Sequence, residues 1–188
     1  KVGHAGTLDP LATGLLLVCT GKMTKKISEI QALEKAYTGV ITIGATTPSY
    51  DLETAIDQNF PTDHITKEQL NVVKKKFEGE IDQYPPIYSA IKKEGKRLYE
   101  YARKGEKIKI ESRKVKLYTF NFTKIDLPQL HFDVRCSKGT YIRSLAHDFG
   151  KALKSGGHLS QLRRTAVGIY RVEDALTLDQ ISEKLEGI

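Results

Sequence analysis

Hydrophobic and polar positions change period several times along the 188 residues. From Tyr37, the stretch "YTGVITIGA" alternates apolar and polar positions and predicts a strand. The run "TKEQLNVVKKKFEGE", 66–80, switches to helical spacing, with Leu70, Val73 and Phe77 on one face and Thr66 and Gln69 at the spacing of a capping box. Two runs rich in aromatic and β-branched residues, "RKVKLYTFNFTKI" (113–125) and "LHFDVRC" (130–136), return to alternation and predict strands. In "TYIRSLAHDFGKAL" (140–153) an apolar stripe of Ile142, Leu145, Ala146, Phe149 and Leu153 predicts a helix. The stretch "RRTAVGIYRV" (163–172) predicts one strand, and "TLDQISEKL" (177–185) a short closing helix with Thr177 and Gln180 again in capping-box spacing. Strands outnumber simple βαβ crossovers, so the expected class is α/β or α+β. The length fits one domain with a sizeable core, and no linker or repeat interrupts it.

Composition narrows the class without naming a chemistry. A hydrophobic fraction of 39% with 28% charged residues is ordinary for a soluble globular protein, and the longest apolar run, "LLLVC" at 15–19, is far too short to span a bilayer. Neither a membrane segment nor a signal peptide is visible. Cys19 and Cys136 stand far apart and outside any C-x-x-C spacing, so they read as small core hydrophobes and a reducing cytoplasm is expected. The chain opens on Lys1-Val2 without a methionine, from which we expect residues upstream of it in the full protein.

Charge becomes informative once it is placed. The net +7 resides in the 25 residues from Lys92 to Lys116, which hold 11 Lys/Arg against 4 Asp/Glu, whereas the two signs balance elsewhere. Tyr99 and Tyr101 interleave with these cations. A polyanionic backbone demands such a footprint, and a solvated hairpin kept for solubility produces the same composition.

The densest chemistry lies near the first residues, in "GHAGTLDPLATG" (3–14). It lacks the Lys-Ser/Thr pair of a P-loop and the spacing of a dinucleotide fingerprint. His4, Asp9, His147 and Asp148 show no diagnostic metal-ligand spacing, and no nucleophile elbow starts a hydrolase triad. Asp-Pro is also an ordinary turn opener, and the residue types alone leave Asp9 open between that part and a catalytic one.

The longer stretch "GHAGTLDPLATGLLLVCTGKMTK" resembles the catalytic motif of the TruB family of tRNA pseudouridine synthases. The resemblance continues through "KAYTGVITIGATTPSYD", "YPPIYSAIKKEGKRLYEYARKG", "CSKGTYIRSLAHDFGKAL" and "HLSQLRRTAVG", and so covers nearly all of the chain. It implies the pseudouridine synthase fold, a mixed central β-sheet flanked by helices and loops. The implied reaction isomerises the T-loop uridine at position 55 of tRNA to pseudouridine, without cofactor, metal or protein partner, in a monomer. The implied partner is the T-arm of tRNA with its target uridine flipped out.

By position, the resemblance makes Asp9 the catalytic aspartate, His4 the residue filling the space of the flipped base, and Tyr37 the tyrosine stacked on that base. Arg143 becomes the partner of the aspartate, Leu162 part of a hydrophobic pocket wall, and Asp51 a further acidic residue nearby. Lys92, Lys93, Lys96, Arg97, Arg103 and Lys104 fall in a thumb-like basic insertion, about 84–116, that grips the T-arm. The chemistry fits these types: breaking a bond at the anomeric carbon develops positive charge that a carboxylate can attack or stabilise. A stacked base must also leave its stack before any group can reach it.

Departures are local. Pro48 stands where the family usually has an aspartate, and neither the family's Lys-Pro-x-Gly segment nor the C-terminal PUA domain that many members carry is expected within these 188 residues. The dyskerin-like, guide-RNA-dependent branch shares "GTLDP" but is disfavoured by "PLATG" and by "PPIYSAIKKEGKRLYEYAR". A non-catalytic RNA-binding module of the same fold is the other alternative.

Overall fold

The computed structural model describes residues 1–106 and 108–186. The chain runs through β1 (Val2–His4), β2 (Thr13–Gly14), β3 (Val18–Thr20) and a 3₁₀ turn into α1 (Ile27–Ala32). There follow β4 (Lys35–Ile43), β5 (Ala45–Thr46), β6 (Gln58–Asn59), α2 (Lys67–Lys75) and β7 (Gly79–Gln83). A hairpin of β8 (Lys92–Lys93) and β9 (Lys96–Arg97) leads into α3 (Leu98–Lys104). The remainder comprises β10 (Arg113–Asp126), β11 (Gln129–Cys136), α4 (Ile142–Ala152), β12 (Gly157–Val167), β13 (Tyr170–Arg171) and α5 (Leu178–Glu186).

Seven strands make the central sheet, in the order β13-β12-β4-β11-β10-β7, with β2 joining β12. All pairs are antiparallel except β2 with β12, so the sheet is mixed. Strand β4 lies at its centre, flanked by β11 and β12. Alternation sends Phe120, Leu130, Phe132, Val134, Ile41 and Ile43 to one face, where they pack with Leu70 and Val73 of α2 and Leu145, Ala146 and Phe149 of α4. Phe149 meets Phe120 and Phe122 edge-on at 5.9 and 5.5 Å between ring centres, the geometry aromatic rings prefer. Burying each such side chain is worth about 1.5–3 kcal/mol. The strand after α4 comes very close to it: a Cβ at Gly150 would lie 2.2 Å from the backbone of Gly156.

The elements follow the sequence pattern with two differences. Both capping boxes form, Thr66 with Gln69 and Thr177 with Gln180. The helix expected over 66–80 stops at Lys75, and Gly79 and Glu80 instead open β7. The single strand expected over 163–172 is the end of β12, a turn at Gly168 with φ 56°, and β13. The apolar run at 15–19 leads into β3, which pairs with β1 over a small second core of Ala5, Leu15, Cys19, Ile30 and Val167. No helix among the described residues is long and apolar enough to cross a membrane.

Candidate active site

The glycine-rich stretch is a loop drawn along the edge of β12. Thr13 and Gly14 pair with Arg163 and Arg164, and the Leu15 N–H donates to the Arg164 carbonyl at 2.9 Å. Gly14 has φ 101°, and a Cβ there would sit 2.2 Å from the Arg164 carbonyl oxygen, so only glycine permits this approach. Arg164, 2% exposed, turns its guanidinium beneath the same loop. Its Nε donates to Leu15 O at 2.8 Å, Nη2 to Gly6 O at 3.0 Å and Nη1 to Thr7 O at 3.5 Å. One buried cation thus holds three carbonyls across the loop that carries Asp9. Asp9 does open a turn, its carbonyl accepting from the Ala12 N–H at 2.9 Å, while its carboxylate points elsewhere.

That carboxylate meets Arg143, the second residue of α4. Arg143 Nε donates to Asp9 Oδ2 at 3.0 Å and Nη2 to Asp9 Oδ1 at 2.7 Å, the bidentate geometry in which a guanidinium pairs most strongly. The arginine side chain is 4% exposed and the aspartate 32%, so the pair is anchored from the protein side and open on the carboxylate side. Arg143 Nη1 donates to the carbonyls of Ser49 and Tyr88 at 3.2 and 3.0 Å. Asp51 lies buried behind, its Oδ2 3.6 Å from Arg143 Nε, while its Oδ1 accepts from Ser49 Oγ at 2.6 Å and the Glu53 N–H at 3.0 Å. Arg143 therefore stands between two carboxylates, with its remaining donors on backbone.

Asp9 opens into a cavity of about 1130 Å³, walled also by Tyr37, Tyr88, Tyr141, Arg143 and Arg164. Burial pushes the Tyr37 phenol up to about 12, a shift the nearby Arg164 opposes, so the ring is present as neutral phenol. Tyr37 and Arg164 face each other across β4 and β12. Lys35, two residues before Tyr37, donates to the carbonyls of Gln31 and Leu33, and burial, then Arg164, hold its ammonium below the usual lysine range. Arg103, Arg113, Lys114 and Lys138 give the rest of the wall a basic character. Burial pushes the Cys136 thiol up to about 11, which leaves it an unreactive core group. Among the described residues, no three His, Cys, Asp or Glu side chains gather to hold a metal ion.

The other expected residues take separate places. Leu162 is buried in the main core and, with Asp9, Asp51 and Leu159, lines a small cleft behind the cavity. His4 lies exposed on β1, opposite Val18, and does not line the large cavity. Lys92, Lys96, Arg97 and Lys104 are exposed on the β8–β9 hairpin and α3, Arg103 reaches the cavity, and Lys93 donates to the Lys109 carbonyl. Arg97 and Arg103 flank the Tyr99 ring at 5.9 and 5.3 Å. Tyr101 is buried, its hydroxyl on the Lys93 carbonyl at 3.1 Å, so it builds the core of this arm and leaves Tyr99 as the ring available for stacking. Lys107, in the same basic segment, lies outside the described residues.

A model of the TruB family pseudouridylate synthase N-terminal domain matches residues 1–142, and one of the tRNA pseudouridylate synthase B C-terminal domain matches 143–186. The chain belongs to the TruB family. The boundary between the two matches falls inside α4, so this TruB site joins Asp9 and Tyr37 from the first segment to Arg143, Leu162 and Arg164 from the second. The chain is 63% identical to tRNA pseudouridine synthase B of Flavobacterium johnsoniae, over 99% of this chain and 81% of the relative. It is 50% identical to the protein of the same name from Phocaeicola vulgatus, over 99% and 79%. Among solved structures, it aligns with a chain of a Cbf5-Nop10-Gar1 complex at TM-score 0.74 and 30% identity. A chain from an H/ACA RNP bound to a substrate RNA containing 2'-deoxyuridine aligns at TM-score 0.71 and 28% identity. Both alignments cover all of this chain but only 48% and 47% of the solved chains, about half their length.

Sequence reasoning missed Arg164, although "LRRTA" carried a signal: Arg164 shares the strand parity of the inward Leu162 and Ala166. It also missed Ser49 and Tyr88, which serve through backbone carbonyls and leave no trace in residue type.

Proposed function

We propose that the protein is a tRNA pseudouridine synthase that isomerises a T-loop uridine, position 55, acting on the T-arm without a protein partner or cofactor. The observation that carries this reading is the bidentate pair of Asp9 with a fully buried Arg143 at the floor of a basic cavity. Relatives at 63% and 50% identity that bear the name tRNA pseudouridine synthase B support the RNA class.

In this reading the target uridine leaves its stack, seats its base against Tyr37, and presents C1' to Asp9. Asp9 attacks C1' as the N1–C1' bond breaks, and its electron pair stays on the uracil ring. The detached base turns, C5 bonds to C1' and displaces the carboxylate, the C5 proton passes to solvent water, and N1 takes up a proton from solvent, so the product is an isomer of the substrate. Arg143 keeps Asp9 aimed through both bond changes. Since the Tyr37 phenol is held up to about 12, its part is a stacking face and a hydroxyl donor rather than a ready base. Asp51 and Leu162 support the floor from behind, and His4 fills the gap left in the RNA stack. The segment 84–116 acts as the gripping arm, with Lys92, Lys93, Lys96, Arg97, Arg103 and Lys104 along the phosphate backbone.

The test is chemical mapping of pseudouridine in an unmodified tRNA transcript incubated with the isolated protein. One T-loop pseudouridine is expected with the wild type and none with Asp9→Asn, whose RNA affinity should stay within about threefold, far less than a charge-pair contact is worth. Turnover by Asp9→Asn would remove the nucleophile from the account. A requirement for an added guide RNA would move the protein to the dyskerin-like, guide-RNA-dependent alternative.

A further inference from the structure

Helix α4 begins without a side-chain cap of its own. Its N-cap residue, Tyr141, has extended backbone (φ −97°, ψ 113°) and offers no side-chain bond to the first turn, where N–H groups lack partners within the helix. The partner comes from another element. Gln83, the last residue of β7 and 1% exposed, accepts the Tyr141 N–H on its Oε1 at 2.8 Å and donates from Nε2 to the Tyr141 carbonyl at 3.0 Å. One side-chain amide thus reads both polar groups of one peptide residue, and Arg143 follows two positions later.

Neighbouring contacts converge on the same turn. Ser144 Oγ donates to the Tyr84 carbonyl at 2.7 Å, and Arg143 Nη1 to the Tyr88 carbonyl at 3.0 Å. Arg113, opposite Gln83 in the β7–β10 ladder, donates to the Gly139 carbonyl and lays its guanidinium 4.6 Å from the centre of the Tyr141 ring. Segment 83–88 is therefore sewn to the first turn of α4, and of these side chains only Gln83 needs a donor and an acceptor at once. An apolar residue at 83 would fill the space but leave the Tyr141 N–H without this acceptor and the Tyr141 carbonyl without this donor, so the amide both satisfies and orients that residue.

We propose that Gln83 is a positioning residue: its two-way amide bond fixes the start of α4 and so sets the Arg143 guanidinium on the Asp9 carboxylate. The assignment rests on the reading of Asp9 and Arg143 as the reacting pair. Misplacement of a catalytic group by about 1 Å can cost on the order of a hundredfold in rate, so a small rotation of this turn is enough to matter.

The experiment measures single-turnover pseudouridine formation at saturating enzyme, together with tRNA affinity, for wild type, Gln83→Leu and Gln83→Glu from about pH 5 to 8. Gln83→Leu should lose at least tenfold in rate with affinity within about threefold, the split a misaimed catalytic group produces. A carboxyl at 83 can accept from the Tyr141 N–H in either form but can donate to the Tyr141 carbonyl only when protonated. Burial favours that protonated form, and the cation shown to face position 83, Arg113 across the β7–β10 ladder, opposes it. The ratio of the Gln83→Glu rate to the wild-type rate should therefore rise as pH falls, which a purely structural defect would not do. A flat ratio, or a rate loss in Gln83→Leu matched by equal weakening of RNA binding, overturns the proposal. A wild type that makes no pseudouridine defeats instead the reading on which it rests.

Discussion

Asp9 and Arg143 at the cavity floor and the cations of the 92–104 arm are both arrays of charge, yet they are held differently. Each guanidinium nitrogen of Arg143 donates to Asp9 or to a backbone carbonyl, and each nitrogen of Arg164 donates to a carbonyl of the loop above it. On the arm, Lys92, Lys96, Arg97 and Lys104 stand in water, and the contacts recorded there are long approaches to tyrosine rings, such as Lys96 5.7 Å from Tyr101. Exposed charges separated from one fixed geometry add affinity in proportion to their number and fade with salt. Buried, fully bonded charges give direction, which bond-making needs. In the proposed function, the floor serves the chemistry and the arm the grip on RNA.

The largest effect should come from altering the geometry of the floor while keeping its charge. Arg143→Lys retains a cation but cannot reproduce the fork that reaches both Asp9 oxygens and two carbonyls, so single-turnover rate should fall by about a hundredfold or more, with tRNA affinity little changed. A rate within about threefold of wild type, well short of one tenfold step in barrier, would show that charge alone suffices there.

A smaller effect sharpens the boundary of the floor. Asp148 lies on α4 beyond Arg143, and burial holds its carboxyl up to about 6 against an ordinary 3.8, with Lys151 opposing. The folded state therefore binds an extra proton between those values, and the associated stability is present below about 3.8 and lost as pH rises through about 6. Asp148→Asn should remove that loss and raise stability at pH 7.5 by about 1 kcal/mol after allowance for partial exposure, or about 2–4 °C in Tm. Single-turnover rate should stay within about twofold, since neither Asp9 nor Arg143 bonds to it. Calorimetry at pH 4 and 7.5 checks the sign.

The parts of this comparison differed in how plainly the sequence displayed them. Asp9, Tyr37 and Arg143 stood in long motif stretches, the basic arm in a local charge excess, and the helices in their capping boxes and apolar stripes. Gln83 and Arg164 were hidden because a buried polar residue looks like a surface one in any hydropathy pattern, and its partners are backbone groups far away in sequence. The break of the last long strand was marked by Gly168, whose φ of 56° makes the turn to β13, but alternation on both sides concealed it. Tyr101 interleaves with the arm's cations in sequence just as Tyr99 does, and only tertiary packing turns it inward.

The central claim is that direction resides in the floor and grip in the arm, and one crossed experiment tests it. Asp9→Asn and the triple replacement of Lys96, Arg97 and Lys104 by glutamine are each measured for tRNA affinity across a salt series and for single-turnover rate at saturating enzyme. The account predicts no product but near-normal affinity and salt slope for Asp9→Asn. For the triple variant it predicts weaker binding, a salt slope flatter by roughly two to three, at about 0.7–0.9 per lost phosphate contact, and a rate on bound RNA close to wild type. An unchanged slope in the triple variant, or a collapse of its single-turnover rate, would contradict the division between the two regions.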